Sequence, residues 1–332
     1  MILRQISQSH LTLLDYCPRK FQHVYLEQLS FPLSMQEQAA LKRGSDLHHL
    51  MQQQELHLLP PVNPTPPSWS PETVKLYQMA HQLATVIPKP SESTRFRQSE
   101  YRLHYEIEGM LLTVVYDLLM LTDTHAYIVD WKTYSRPPQQ AELATHWQTK
   151  LYPFVLAATS EYRPSDITLS YWFMQISGNS SGSSSGSPSG SPSDQPDQAT
   201  DVTAIAPDLQ PDCIRFEHSD RHQHQVHHDL IQTIRRLKQW LADYETGIAL
   251  PQTDRIQERC PRCPFAFRCG RSHPSASDQW TDLDNIEAIA EIPLPDGSLK
   301  DEFLRNEWLK DKLPQDELPQ DELPQDESLR LE

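Results

Sequence analysis

Apolar residues recur along this chain at two different spacings. Between 36 and 56, Leu41, Leu47, Leu50 and Met51 fall at intervals that place them on one side of a helix. Between 225 and 244, Val226, Leu230, Ile234, Leu237, Leu241 and Tyr244 do the same over more than five turns. Residues 141–158 also read as a helix. The stretches 100–107, 111–121 and 126–133 are instead short apolar or alternating runs rich in β-branched and aromatic residues, and they read as strands. Thr122, Asp123, Thr124 and His125 form the predicted turn between the last two. A further strand is expected over 169–176, with 212–218 as its partner. The pattern predicts a mixed α/β fold.

Three stretches interrupt it. Residues 59–70 are proline-rich and predict a loop. Residues 177–200 are Ser, Gly and Pro with no material for a core, and are expected to be a disordered insertion between two paired strands. Such a loop is tolerable because closure entropy grows slowly with length. The third is the tail, where Leu-Pro-Gln-Asp-Glu repeats at 313–317, 318–322 and 323–327. A five-residue period with a proline in each copy suits neither helix nor paired strand, and three copies are too few for a solenoid. The expected organisation is a folded body over 1–275 and an acidic, disordered tail over 276–332.

The formal charge of −16 on 332 residues is unusual for a nucleic-acid partner, but it is unevenly placed. From Ala276 onward there are 17 acidic and 5 basic residues, a net of −12, which leaves −4 on the body. The body can therefore hold a local basic groove, although its charge is no positive evidence for one. No run of 18 apolar residues predicts a membrane span, and residues 1–10 lack the apolar core of a signal peptide. The expected location is cytoplasmic, without membrane association. No G-x-x-x-x-G-K-[ST] motif is present, so the sequence encodes no P-loop motor.

The first chemical constellation lies on the predicted hairpin. Asp117 interrupts the apolar run 111–121, where an ionised carboxylate is costly without compensation. Asp130 ends the run that starts at Ala126, and Lys132 follows two residues later on the same strand face. Two carboxylates and a lysine at one strand end are what phosphodiester hydrolysis requires. The carboxylates hold Mg²⁺ or Mn²⁺, and the lysine stabilises charge developing on the phosphate. An exposed Asp–Lys ion pair is the plainer alternative. Gln148 and Tyr152 stand four apart on the following helix and share a face. Upstream, His48 lies one turn past Gly44, with His49 beside it.

The second constellation is Cys260-Pro-Arg-Cys263 followed by Cys269, a C-x₂-C-x₅-C set that needs a fourth ligand from Cys17 or Cys213. Four thiolates hold either zinc or an iron–sulfur cluster, and spacing alone does not separate the two. Arg19, Lys20 and Phe21 follow Cys17, while Arg262, Phe265, Phe267, Arg268 and Arg271 surround the other three. This mixture can stack bases of a single strand or pack around a metal centre. His222, His224, His227 and His228 read as a solvated helix face, with a metal pair at 224 and 228 as the alternative.

Taken in order, G-x-x-x-H, Asp, D-x-K and Q-x-x-x-Y resemble the RecB-like branch of the PD-(D/E)XK nucleases, and the cysteine layout resembles the iron–sulfur, CRISPR-associated exonucleases within it. The resemblance implies a restriction-endonuclease-like mixed sheet flanked by helices. His48, Asp117 and Asp130 would ligate Mg²⁺ or Mn²⁺ with help from the Trp131 carbonyl. Lys132 would be the catalytic lysine, and Gln148 and Tyr152 would support the site and the DNA strand. Cys17, Cys260, Cys263 and Cys269 would hold a [4Fe–4S] cluster that staples the N- and C-terminal segments together, leaving Cys213 as a buried thiol. The implied activity is metal-dependent DNA hydrolysis at single strands or ends, in repair, recombination or CRISPR adaptation, with a separate helicase or CRISPR protein as a possible partner. The rival readings are an inactive module of the same fold that binds DNA or a partner, and a zinc-stabilised interaction protein.

Overall fold

The structure, a computed structural model, describes residues 3–59, 69–89, 93–133, 138–173 and 211–271. The insertion at 177–200 and the acidic tail lie outside the described residues. The elements run β1 (Gln5–Ile6), α1 (Gln8–Tyr16), α2 (Pro18–Phe21), a π-helical turn (Gln22–Leu26), α3 (Met35–Glu55), α4 (Pro71–Val86), β2 (Thr94–Ile107), β3 (Met110–Thr122), β4 (Ala126–Lys132), α5 (Gln140–Leu143), α6 (Trp147–Thr159), β5 (Ile167–Phe173), β6 (Asp212–Glu217), α7 (Asp220–Glu245) and α8 (Ile256–Arg259).

The strands form one six-stranded mixed sheet. β3 is its organising strand. β2 pairs antiparallel along its whole length, from Ile107↔Met110 to Thr94↔Thr122. The turn between them is Glu108-Gly109, both with positive φ (51° and 69°), as a two-residue hairpin of this hand demands. The other edge of β3 is shared. β1 pairs in parallel with Leu111 and Leu112, and β4 pairs antiparallel with residues 118–121. β4 then pairs in parallel with β5, and β5 antiparallel with β6.

Both faces of the sheet are covered, which is why β3 and β5 read as almost continuous apolar runs. Ala126 and Ile128 on β4, and Ile167, Leu169, Tyr171 and Phe173 on β5, pack in the core with α1, α6 and α7. The alternate residues Val129, Trp131 and Trp172 pack with α3 and α4 through Leu47, Met51, Leu76, Met79 and Leu83.

Several expectations are corrected by the structure. The strand expected at 100–107 starts six residues earlier, and α1 and α4 were not foreseen. Helix α4 begins with Ser70, whose side chain accepts the Thr73 N–H, and with Pro71 in the first turn. The single helix expected at 141–158 is two, broken at Ala144–His146, and Thr149 Oγ1 closes the break by donating to the Leu143 carbonyl (2.6 Å). The expected hairpin turn at 122–125 is present, as is the pairing of 169–173 with 212–216.

Candidate active site

The site lies where β3 and β4 part. The last pair of their ladder is Leu118↔Val129, so Asp117 and Asp130 are the first residues beyond it on each strand. There the Trp131 N–H, with no strand partner on that side, donates to Asp117 Oδ2 (2.9 Å). Asp130 shares the parity of Ala126 and Ile128 and faces α6. Gln148 Nε2, in the first turn of that helix, donates to Asp130 Oδ1 (2.6 Å). Lys132 Nζ stands 3.2 Å from Asp130 Oδ2 as an ion pair. The break between α5 and α6 is thus what delivers Gln148 to the carboxylate.

Asp130 is 1 % exposed, and the Lys132 ammonium is the partner of its Oδ2. Burial and the Asp117 charge push its pKa up to about 8, against the opposing pull of Lys132 and His48. A buried carboxylate is costly to ionise, and positive charge beside it lowers the cost.

Helix α3 brings in His48. Its Nδ1 lies 3.3 Å from Asp117 Oδ1 and 3.9 Å from Glu100 Oε1. Burial opposes the imidazolium, but the charge and hydrogen bond of Asp117, with Glu100 and Asp130 behind it, hold the His48 pKa well above its ordinary value. His49 is exposed, so His48 is the inward member of the pair. Ligand atoms of His48, Glu100 and Asp117 all lie within 4.8 Å of one another, a spacing that suits a metal ion. Two carboxylates and an imidazole at this spacing fit a hard divalent cation.

Glu100 is absent from the sequence reading. The signal for it is the Glu108-Gly109 turn. Counting back along the register that this turn sets puts Glu100, between the Ser99↔Leu118 and Tyr101↔Tyr116 pairs, across from Asp117. Its φ of 51° is a left-handed conformation rare for a strand residue, and marks local strain at this point.

The structure brings His48, Asp117, Asp130, Lys132 and Gln148 together. Tyr152 lies one turn further along α6 at 3 % exposure, in the core, with its ring edge-on to Tyr116 (centroids 5.2 Å apart) and its carbonyl accepting the Tyr116 hydroxyl (2.9 Å).

Away from this site, a cavity is lined by Cys17, Cys260, Cys263 and Cys269 together with Tyr16 and Lys20. Cys213 is not among its walls and instead packs against the α3–α4 core. The two chain segments are tied across this cavity. Tyr16 Oη donates to the Arg259 carbonyl (2.8 Å), Arg259 donates back to the carbonyls of Asp15 and Tyr16, and Arg19 Nε donates to the Leu250 carbonyl (2.6 Å). Cys269 Sγ lies 3.6 Å from His23 Nε2, and His23 Nδ1 lies 2.8 Å from Glu27 Oε2. Burial raises the thiol pKa values of Cys263 and Cys269. Four thiols facing one cavity fit a thiolate-held metal centre. On α7, His224, His227 and His228 are exposed.

A family model of the PD-(D/E)XK nuclease superfamily matches residues 5–270. This chain belongs to that superfamily, and its mixed sheet flanked by helices is the restriction-endonuclease-like fold. Among solved structures, a Eubacterium rectale protein named "Putative exonuclease" is similar at a TM-score of 0.45 and 11% identity, over 83% of this chain and 91% of that one. No curated protein matches the chain.

Proposed function

We propose that this nuclease is a Mg²⁺- or Mn²⁺-dependent deoxyribonuclease of the RecB-like branch, acting on single-stranded DNA or DNA ends in repair, recombination or CRISPR adaptation, and carrying a [4Fe–4S] cluster on four cysteines. The observation that carries the catalytic part is the meeting of His48, Glu100, Asp117, Asp130, Lys132 and Gln148 at the divergence of β3 and β4.

His48, Glu100 and Asp117 would hold the divalent ion, with Asp130 as a further ligand. When bound, the ion polarises the phosphate and lowers the pKa of a coordinated water. The chain's own groups do the rest. Gln148 fixes the Asp130 carboxylate in one orientation, and the Trp131 N–H does so for Asp117. Lys132 places a positive charge beside the carboxylates, where it can steady the negative charge that grows on the scissile phosphate. The direct test is cleavage of end-labelled single- and double-stranded DNA with Mg²⁺, Mn²⁺ or EDTA. Cleavage that is absent with both metals on every substrate would leave the inactive-module reading standing.

The cluster reading is supported by the cavity that the four thiols share and by the resemblance of their layout to that of the iron–sulfur exonucleases.

Two predictions follow from the active-site geometry. Glu100→Gln should raise the Mn²⁺ concentration giving half-maximal cleavage by about tenfold while sparing the rate at saturating metal. An unchanged metal titration would place Glu100 outside the coordination sphere. The second concerns pH. Asp130 has a raised folded pKa, so its contribution to metal-free stability is full below the ordinary carboxylate value of about 4 and is lost as pH rises toward about 8. Metal entry needs Asp130 ionised and His48 neutral, and therefore releases protons. The gap in melting temperature between Mn²⁺-loaded and EDTA-treated protein should widen from about pH 6 to about pH 8. A gap that is constant or narrows over this range contradicts the assignment.

A further inference from the structure

The wall of the four-cysteine cavity has a one-sided charge. Besides the thiols it contains Lys20, Arg259 and Arg271, the neutral side chains of Tyr16, Gln252 and Thr253, and no Asp or Glu. The cations are held in place. Arg271 Nη1 donates to Cys260 Sγ (3.1 Å) and to the Thr253 carbonyl (2.8 Å). Lys20 Nζ sits over the Tyr16 ring at 4.8 Å, within electrostatic reach of Cys17 and Cys263. Arg259 flanks the same ring at 5.2 Å. A guanidinium aimed at a ligand sulfur is more than a packing device, because four thiolates carry more negative charge than any single divalent ion or [4Fe–4S]²⁺ core cancels.

We propose that Arg271 and Lys20 are positioning residues that tune the metal centre. Arg271 acts through its hydrogen bond to the Cys260 sulfur, Lys20 through its charge beside Cys17 and Cys263. The inference rests on the cluster reading above. Were a [4Fe–4S]²⁺ core bound, its one-electron reduction by dithionite would take the centre from a net charge of −2 to −3 without a proton. Fixed cations and a hydrogen bond to a ligand sulfur favour the more negative state and raise the reduction potential.

The test uses the full chain purified anaerobically, with iron and sulfide content, visible absorbance, and a dithionite titration followed by electron paramagnetic resonance. Wild type should hold about four irons per chain and titrate as a one-electron couple. Arg271→Gln and Lys20→Gln should each lower the midpoint potential, and Arg271→Lys should lower it by less than Arg271→Gln. Midpoints equal to wild type in both glutamine variants, with the cluster retained, overturn the tuning role and leave the cluster reading intact. Wild-type protein that contains zinc and no iron or sulfide overturns the cluster reading itself. If circular dichroism shows that Arg271→Gln is unfolded, Lys20→Gln and Arg271→Lys decide the question by the same comparison.

Discussion

Lys132→Ala is expected to lower DNA cleavage at saturating Mn²⁺ by about 10³-fold while the melting temperature of the Mn²⁺-loaded protein stays within a few degrees of wild type. Lys132 Nζ lies 3.2 Å from Asp130 Oδ2, at the point where the two strands open. Removing it takes away the side-chain cation paired with Asp130, but a bound metal would still compensate the carboxylates, so folding should be spared. Asp130→Asn should be equally severe for a different reason. It keeps the shape and the Gln148 contact, yet removes the charge that draws in the ion. Because both variants disable the same step, the double variant should be no slower than either single one by more than a few fold. Gel-based cleavage of end-labelled DNA, with circular dichroism on the same preparations, reads all of this. Wild-type rates in either folded single variant would remove these residues from the chemistry.

The second large effect concerns stability. Cys263→Ser should abolish iron binding and destabilise the body by about 4 kcal/mol or more, because loss of a metal centre is among the few single changes that cost this much. Cys263 is buried with Phe265 and Ala266 in a small apolar cluster of its own, against Val24 and Leu29. Beside the hydrogen bonds of Tyr16, Arg19 and Arg259, a bound metal centre would be the strongest tie between residues 250–271 and the N-terminal helices. Cys213→Ser should leave iron content unchanged, since Cys213 sits in β6 across from Trp172, away from the cavity. Iron assay and chemical denaturation separate the two variants. Equal iron content in Cys263→Ser and wild type would dismantle the four-cysteine assignment.

The legibility of the two constellations in the sequence has a common physical origin. Asp117, Asp130 and Lys132 stand out because charge inside apolar runs is expensive and therefore informative, and strand alternation alone puts Asp130 and Lys132 on one face. Three cysteines within ten residues stand out because their clustering has little structural use without a metal. Glu100 gave no such signal. It follows polar neighbours in a strand that alternates between exposed and half-buried residues, so its charge looks ordinary. Helix α4 was legible in principle, through Ser70, Pro71 and the helical spacing of Leu76, Met79 and Leu83, but the proline run before it conceals its start.

By itself, then, the sequence determined which elements could form and which residues carried unusual chemical cost, because periodicity and charge in apolar surroundings are local properties of the chain. Only the tertiary structure decided that β3 shares one edge between β1 and β4, leaving the gap in which Asp117 and Asp130 meet. It also decided that Glu100 joins them, while it places His48 inward and Cys17 on the cavity of the other three cysteines, as the family resemblance implied. Those are outcomes of strand pairing and helix docking between segments tens to hundreds of residues apart, and no local pattern encodes which of two adjacent or equivalent side chains the packing will select.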